Sequence, residues 1–300
     1  MPLTALAPDS GSVQLDPLAP SPRGSWSAHG VQVRRRAGAH RSHDASNSVC
    51  TPRFCVTRHG ENLTVEHDLG PEELSDELAV LLADELVDSG ALHGRPEFEM
   101  VFTGVVRSTV DGGVASWSRF YRNSLRELEH GEAAFAPVHR RAAELVEGNR
   151  LIDLGSCFGF FPLRVAMSGI DVLATDLSVA TMDLLGRMSA RLGRPLRTMA
   201  CDATAVPLPD SSADTVTVLH LLEHLSGPAG RTVLTEALRL ARRRVVVAVP
   251  FEQAPRECYG HVQCFDLDSL ARLGIQLCAE HPGVTAAVSE FHGGWLVLDR

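Results

Sequence analysis

One nine-residue stretch constrains the fold of this chain more than any other, Leu151-Ile-Asp-Leu-Gly-Ser-Cys-Phe-Gly159. Its apolar residues around Asp153 predict a buried strand, and the segment from Gly155 to Gly159 predicts a tight turn. A helix is predicted next, with Pro162 in its first turn, where the missing N–H costs nothing. Because a strand, a glycine turn and a helix N-terminus bring backbone N–H groups close to a ligand, this stretch predicts a cofactor site.

Strand and helix patterns alternate after this turn. Strands are predicted at 171–176, 196–201, 214–219 and 244–249, and helices at 179–192, 230–242 and after Asp266. Residues 284–291 and 294–298 predict an antiparallel hairpin at the end of the chain. This order predicts an α/β fold with a doubly wound, mostly parallel sheet and ligands at the carboxyl ends of its strands.

The spacing of the turn separates two classes of cofactor. A dinucleotide-binding turn needs three glycines, and Gly155, Cys157 and Phe160 supply one of them. The D-x-G-x-C-x-G pattern instead resembles motif I of class I S-adenosylmethionine-dependent methyltransferases, with Cys157 at the usual middle glycine. That resemblance implies a seven-stranded, Rossmann-like sheet and S-adenosylmethionine as the cofactor. The alternative is a plain strand-to-helix connection, as in any α/β protein.

Acidic residues follow two further strands in the order that an adenosyl ligand requires. Asp176 ends the strand after the turn, where a carboxylate can accept both ribose hydroxyls, and Asp202 with Ala203 follows the next strand, beside the adenine amine. Taken alone, each aspartate is equally typical of a helix N-cap. The cofactor-binding residues expected from the resemblance are Asp153, Gly155, Ser156, Cys157, Gly159, Asp176, Leu177, Asp202, Ala203 and Leu219.

The segment His220-Leu-Leu-Glu-His224 carries the candidate catalytic groups. It resembles the motif after strand four of small-molecule methyltransferases, whose side chains face the methyl group. We expect His220 or His224 to deprotonate an acceptor hydroxyl, and Glu223 to orient that base or to share a divalent metal with both histidines. A helix cap with a buried histidine is the structural alternative. The zinc-protease pattern H-x-x-E-H also matches, but residues 226–228 end the segment too early for its long helix.

The acceptor is expected to be a hydroxyl of a small molecule or glycan. The Asn/Asp-Pro-Pro-aromatic motif of amino-methylating relatives is missing here, and a polar loop supplies candidate acceptor-pocket residues, Glu252, Tyr259, His261 and Gln263. The segments 121–135 and 156–163 resemble the methyltransferases of the mycofactocin oligosaccharide, which implies a glucose hydroxyl as acceptor. The alternative function is a non-catalytic module that binds S-adenosylmethionine or a partner.

Composition divides the chain and excludes several functions. Residues 1–60, rich in Pro, Ser, Gly and Arg, predict a disordered tail. Residues 61–148 predict a helical cap with a short strand at 98–106, and residues 149–300 predict the methyltransferase domain. All 28 basic residues are arginine, which excludes lysine chemistry, and the net charge of −9 argues against a nucleic-acid substrate. Seven scattered cysteines predict free thiols, and the lack of a long apolar run or signal core predicts a soluble, cytoplasmic protein.

Overall fold

A computed structural model describes residues 15–36 and 47–300 of the chain. The described residues form two compact units. The first unit extends to Ala133 and includes Glu257–Tyr259; the second contains Ala134–Arg256 and Gly260–Arg300. Within the described residues, no helix combines the length and the apolar character needed to cross a bilayer.

The first unit combines a five-stranded sheet with three helices. Its strands are β1 (Ser25–Ala28), β2 (Val31–Arg35), β3 (Ser48–Cys50), β4 (Phe54–His59) and β5 (Asn62–His67), in the order β1-β2-β5-β4-β3. Its helices are α1 (Leu78–Leu82), continued by a π-helical turn at Ala83–Val87, α2 (Gly94–Thr109) and α3 (Gly113–His130). Helix α2 lies close against the sheet, because a Cβ atom on Gly104 would overlap the side chain of Val33.

Three predictions for this part of the chain are wrong or incomplete. The tail predicted over 1–60 contains β1 to β4, and apolar residues of these strands such as Trp26 and Val33 are buried; residues 1–14 and 37–46 lie outside the described residues. The strand expected near residues 98–106 belongs to α2, which is buried on all sides and therefore lacks a helical hydrophobic period. The cap predicted over 61–148 includes β5 as well as helices, and its role as a cap stays a prediction.

The cysteine prediction also needs correction. Cys50 and Cys55 form a disulfide, because the β3–β4 pairing places them directly opposite each other with Cα atoms 4.1 Å apart. The described cysteines outside this disulfide are Cys157, Cys201, Cys258, Cys264 and Cys278. The cytoplasmic location, which depended partly on free thiols, stays a prediction.

The second unit contains the predicted doubly wound, mostly parallel sheet. Its elements are α4 (Ala136–Leu145), β6 (Arg150–Leu154), α5 (Phe160–Val165), β7 (Asp171–Asp176), α6 (Val179–Leu192), β8 (Arg197–Ala200), β9 (Ala213–Leu219), α7 (Gly227–Leu240), β10 (Ala241–Val249), α8 (Leu267–Glu280), β11 (Thr285–Glu290) and β12 (Gly294–Asp299). The strand order is β11-β12-β10-β9-β6-β7-β8, and β12 runs antiparallel to both of its neighbours.

Hydrophobic cores on both faces of this sheet hold the helices in place. Helices α7 and α8 contribute to one core, and α4 and α5 to the other, with strand residues alternating between them. Helix α4 belongs to this unit, which therefore begins at Ala134 rather than at the predicted 149, because Val138 and Ala142 pack against the sheet. Since β6, β7, β8 and β9 are parallel neighbours, the segments that follow them share one edge of the sheet.

Candidate cofactor and acceptor site

The turn after β6 is held in left-handed backbone conformations. Gly155, Cys157 and Gly159 have φ angles of 72°, 48° and 71°. A Cβ atom on Gly155 would lie 2.8 Å from Cδ1 of Leu221, so both the conformation and the space require glycine there. Cys157 adopts the same region at some conformational cost, which is why glycine is usual at this position.

Asp176 connects the end of β7 to this turn. Its side chain is buried, and Oδ2 accepts a hydrogen bond from the backbone N–H of Cys157 at 3.0 Å. Oδ1 accepts from the backbone N–H of Ser178 at 2.9 Å. A carboxylate oxygen can accept more than one hydrogen bond, so Asp176 can accept ligand hydroxyls while it fixes the turn.

Ser156 and Asp153 stabilise the base of the turn. The Ser156 hydroxyl donates to the carbonyl of Asp153 at 3.0 Å and accepts from the N–H of Thr175 at 3.1 Å, which joins β6 to β7. The Asp153 carboxylate accepts from the hydroxyl of Thr217 on β9 at 2.5 Å. Burial raises the pKa of Asp153 to about 6, against the hydrogen bonds from Thr217 and Ser156, which lower it.

The third aspartate occupies a more exposed position. Asp202 follows β8, and its Oδ1 accepts from the N–H and the hydroxyl of Thr204, both at 2.8 Å. This is a local turn bond of the kind that aspartate forms without any ligand. Cys201 donates its N–H to the carbonyl of Asp176 at 2.9 Å, so Asp202 starts beside the end of β7. Leu177 and Ala203 are half-buried and Leu219 is buried; the cofactor role of these residues stays a prediction.

His220 directly follows β9 in a strained conformation. Its φ is 53°, its N–H donates to the carbonyl of Ala248 at 2.8 Å, and its ring meets that of Phe135 edge-to-face at 4.9 Å. Nδ1 lies 3.1 Å from Oε1 of Glu223. Backbone strain of this kind is concentrated at functional sites, and the carboxylate orients the imidazole.

Glu223 is a fully buried carboxylate. Burial raises its pKa, but the hydrogen bond from His220 and the fields of His220 and His224 outweigh that effect, and the net pKa is lowered. Its Oε2 atom has no hydrogen-bond partner among the residues that the structure describes. Imidazole groups therefore stabilise the charged form of Glu223. Its Oε2 atom can interact with a further cation or hydrogen-bond donor.

Two further histidines, His224 and His261, lie close to Glu223. Nδ1 of His224 is 3.2 Å from the carbonyl of Gly260, and Nδ1 of His261 is 2.7 Å from Oε2 of Glu252. The rings of His224 and His261 meet edge-to-face at 4.8 Å. Single ligand atoms of Glu223, His224 and His261 all lie within 4.8 Å of one another. The three residues whose ligand atoms converge thus include His261 in place of the expected His220.

The loop that carries His261 is fixed by backbone contacts to the His220–His224 segment. The N–H of Val262 donates to the carbonyl of Glu223 at 2.8 Å, and the amide of Gln263 donates to the carbonyls of Leu222 and Leu225 at 2.9 and 2.8 Å. Sequence reasoning assigned His261 to an acceptor loop, because no spacing signal joins it to Glu223. Tyr259 belongs to the first unit, where its ring packs edge-to-face on Phe98.

Comparisons with known proteins agree with this fold. Residues 152–249, from β6 to β10, match the model of the family described as a methyltransferase domain. Over 101 residues the chain is 31% identical to a demethylmenaquinone methyltransferase of Renibacterium salmoninarum; the match covers 34% of this chain and 40% of that protein. The chain thus spans two fifths of the length of that relative.

Two solved structures are similar to parts of this chain. A SAM-dependent methyltransferase from Aquifex aeolicus has a TM-score of 0.44 and 16% identity, over 59% of this chain and 97% of its own. The magnesium protoporphyrin IX methyltransferase of Synechocystis, solved with bound SAM, has a TM-score of 0.42 and 15% identity, over 60% and 84%.

Proposed function

We propose that this chain is an S-adenosylmethionine-dependent methyltransferase that transfers the methyl group to a hydroxyl of a small molecule or glycan. The main support is the arrangement of two neighbouring strands. The cofactor-type turn follows β6, and the His220–Glu223 pair follows β9, which is hydrogen-bonded to β6. A base and a cofactor turn at the same edge of one sheet is the arrangement that methyl transfer requires.

The cofactor would be held by the turn and by Asp176. The carboxylate of Asp176 would accept the ribose hydroxyls, and the backbone of the turn would lie against the cofactor at Gly155, Ser156, Cys157 and Gly159. Asp153 would stabilise the turn through its hydrogen bond with Thr217. The adenosyl group would contact Leu177, Asp202, Ala203 and Leu219. When bound, S-adenosylmethionine supplies an electrophilic methyl group.

His220 is the proposed general base. With Nδ1–H donating to Glu223, Nε2 is the atom that accepts a proton. During transfer to an acceptor hydroxyl, Nε2 would accept the hydroxyl proton, and Glu223 would stabilise the resulting imidazolium. His224 donates to Gly260 and faces His261, so it is the weaker candidate for the base.

The acceptor class follows from this base and from the surrounding polar groups. An imidazole near neutral pH suits a hydroxyl, whose proton must leave during transfer, better than an amine with a free lone pair. We extend the proposal to a glycan, with a glucose hydroxyl of the mycofactocin oligosaccharide as the most specific candidate, on the resemblance of residues 121–135 and 156–163.

The experiment is a methyl-transfer assay that measures S-adenosylhomocysteine release with alkyl glucosides, phenols and primary amines as acceptors. We expect turnover with glucosides, and His220→Gln should lower kcat about 10²- to 10⁴-fold with unchanged cofactor binding. The exposed His292 provides the matched control, since His292→Ala should behave like the wild type. Methylation of amines alone would contradict the hydroxyl proposal, and cofactor binding without turnover would favour the non-catalytic alternative.

A further inference from the structure

We propose that Glu223, His224 and His261 form a binding site for a divalent transition-metal cation of the zinc class. The first support is their convergence. Each offers one ligand atom, these atoms lie within 4.8 Å of one another, and all three side chains are buried, with 0%, 2% and 3% exposure. Ligand atoms on one tetrahedral zinc ion are about 3.4 Å apart. Binding therefore requires side-chain rotations that move the ligand atoms by about an ångström.

The second support is the set of groups behind the two histidines. Ligating histidines usually donate their other ring N–H to a carboxylate or a carbonyl, which fixes the tautomer. His261 has its Nδ1 on Glu252 at 2.7 Å, and His224 has its Nδ1 on the carbonyl of Gly260 at 3.2 Å. Both bonds leave Nε2 as the lone-pair atom of the ring, which is the form that binds a metal.

The third support is Glu223 itself. One carboxylate oxygen is hydrogen-bonded to His220, while Oε2 is fully buried and has no hydrogen-bond partner within residues 15–36 and 47–300. A buried carboxylate oxygen without a donor is costly, and buried charges are normally paired or coordinate metals. A cation between Glu223 and the two Nε2 atoms would supply the missing interaction.

The ligand set selects the class of cation. Two imidazoles and one carboxylate suit zinc, iron or cobalt, whereas magnesium and calcium prefer oxygen ligands alone. Three protein ligands leave one coordination position for water or for a substrate oxygen. The metal site depends only on these side chains, so it can be tested whether or not the chain transfers methyl groups.

The test is titration calorimetry of the tag-free, chelator-treated full chain with Zn²⁺, together with absorption spectra of the Co²⁺ form. We expect one Zn²⁺ per chain, no comparable binding of Mg²⁺, and a cobalt spectrum without a sulfur-to-metal charge-transfer band. Glu223→Gln and His261→Gln should abolish binding, and Glu252→Gln should weaken it about 10- to 100-fold. His67→Gln, at a buried histidine of the first unit, should bind like the wild type.

Three outcomes would overturn the proposal. These are the absence of Zn²⁺ binding by the wild type, undiminished binding by Glu223→Gln and His261→Gln, and sulfur ligation in the cobalt spectrum. Circular dichroism of every variant checks that it is folded. The cobalt spectrum of the wild type and the partial loss in Glu252→Gln keep the test decisive if a ligand variant fails to fold.

Discussion

Gly159 offers the sharpest structural test of the turn after β6. Its φ is 71°, and a Cβ atom there would lie 2.6 Å from Cδ1 of Leu185 on α6, whose side chain is fully buried. An alanine in the left-handed region costs about 1–2 kcal/mol, and overpacking of a filled core costs about 1–3 kcal/mol. Gly159→Ala should therefore lower the free energy of unfolding by about 2–5 kcal/mol.

The chain provides a matched control for the conformational part of this cost. Gly193, which ends α6, has a φ of 66°, and a Cβ atom there would meet nothing within 4 Å. Gly193→Ala should cost only the left-handed conformation, about 1–2 kcal/mol. Urea denaturation followed by circular dichroism measures both variants.

A double-mutant cycle isolates the clash with Leu185. Leu185→Ala alone should cost about 2–5 kcal/mol through the cavity it creates. In that background Gly159→Ala should add only its conformational cost, so the cycle should give a coupling energy of about 1–3 kcal/mol. If Gly159→Ala is no more destabilising than Gly193→Ala, or if the coupling energy is zero, the close packing of the turn on α6 is refuted.

Two further predictions concern polar groups of the second unit. Burial raises the pKa of Asp153 to about 6, against an ordinary 3.8, so the folded state binds this proton more tightly than the unfolded state. The stabilising contribution of Asp153 is therefore complete below pH 3.8 and is lost as the pH rises through 6. Between pH 5 and pH 8 the wild type should lose on the order of 1 kcal/mol of unfolding free energy at this site, and Asp153→Asn should not; a pH-independent difference between the two proteins in urea denaturation would refute this. Gln263→Ala removes two hydrogen bonds to part-buried backbone carbonyls and should cost about 1–3 kcal/mol; an unchanged thermal midpoint would contradict the proposed role of Gln263 in fixing the loop.

The second unit was readable from the sequence because its local signals agree with its fold. The strand at Asp171–Asp176 and the helix at Val179–Leu192 were predicted with their observed bounds, since Ser178 caps the helix and Gly193 ends it. The hairpin of β11 and β12 was likewise predicted from its apolar runs and the Gly-Gly turn. In each case caps and turn residues limit where an element can begin and end.

The first unit and the histidine cluster were less readable for physical reasons. Strands of three to six residues offer too few positions for an alternating pattern, and α2 buries residues on every face. His261 meets Glu223 only because the N–H of Val262 and the amide of Gln263 attach its loop to the carbonyls of residues 222, 223 and 225. Such backbone contacts are tertiary and leave no periodic trace in the sequence.

The central claim is that Asp176 and the turn after β6 bind S-adenosylmethionine. The most direct measurement is titration calorimetry with S-adenosylmethionine and S-adenosylhomocysteine on the wild type, on Asp176→Ala and on Asp171→Ala. Asp171 is the matched control, because it lies at the opposite end of β7, exposed and paired with Arg197. We expect micromolar binding by the wild type and by Asp171→Ala, and no binding by a folded Asp176→Ala. Absence of binding by the wild type, or equal binding by all three proteins, would contradict the claim.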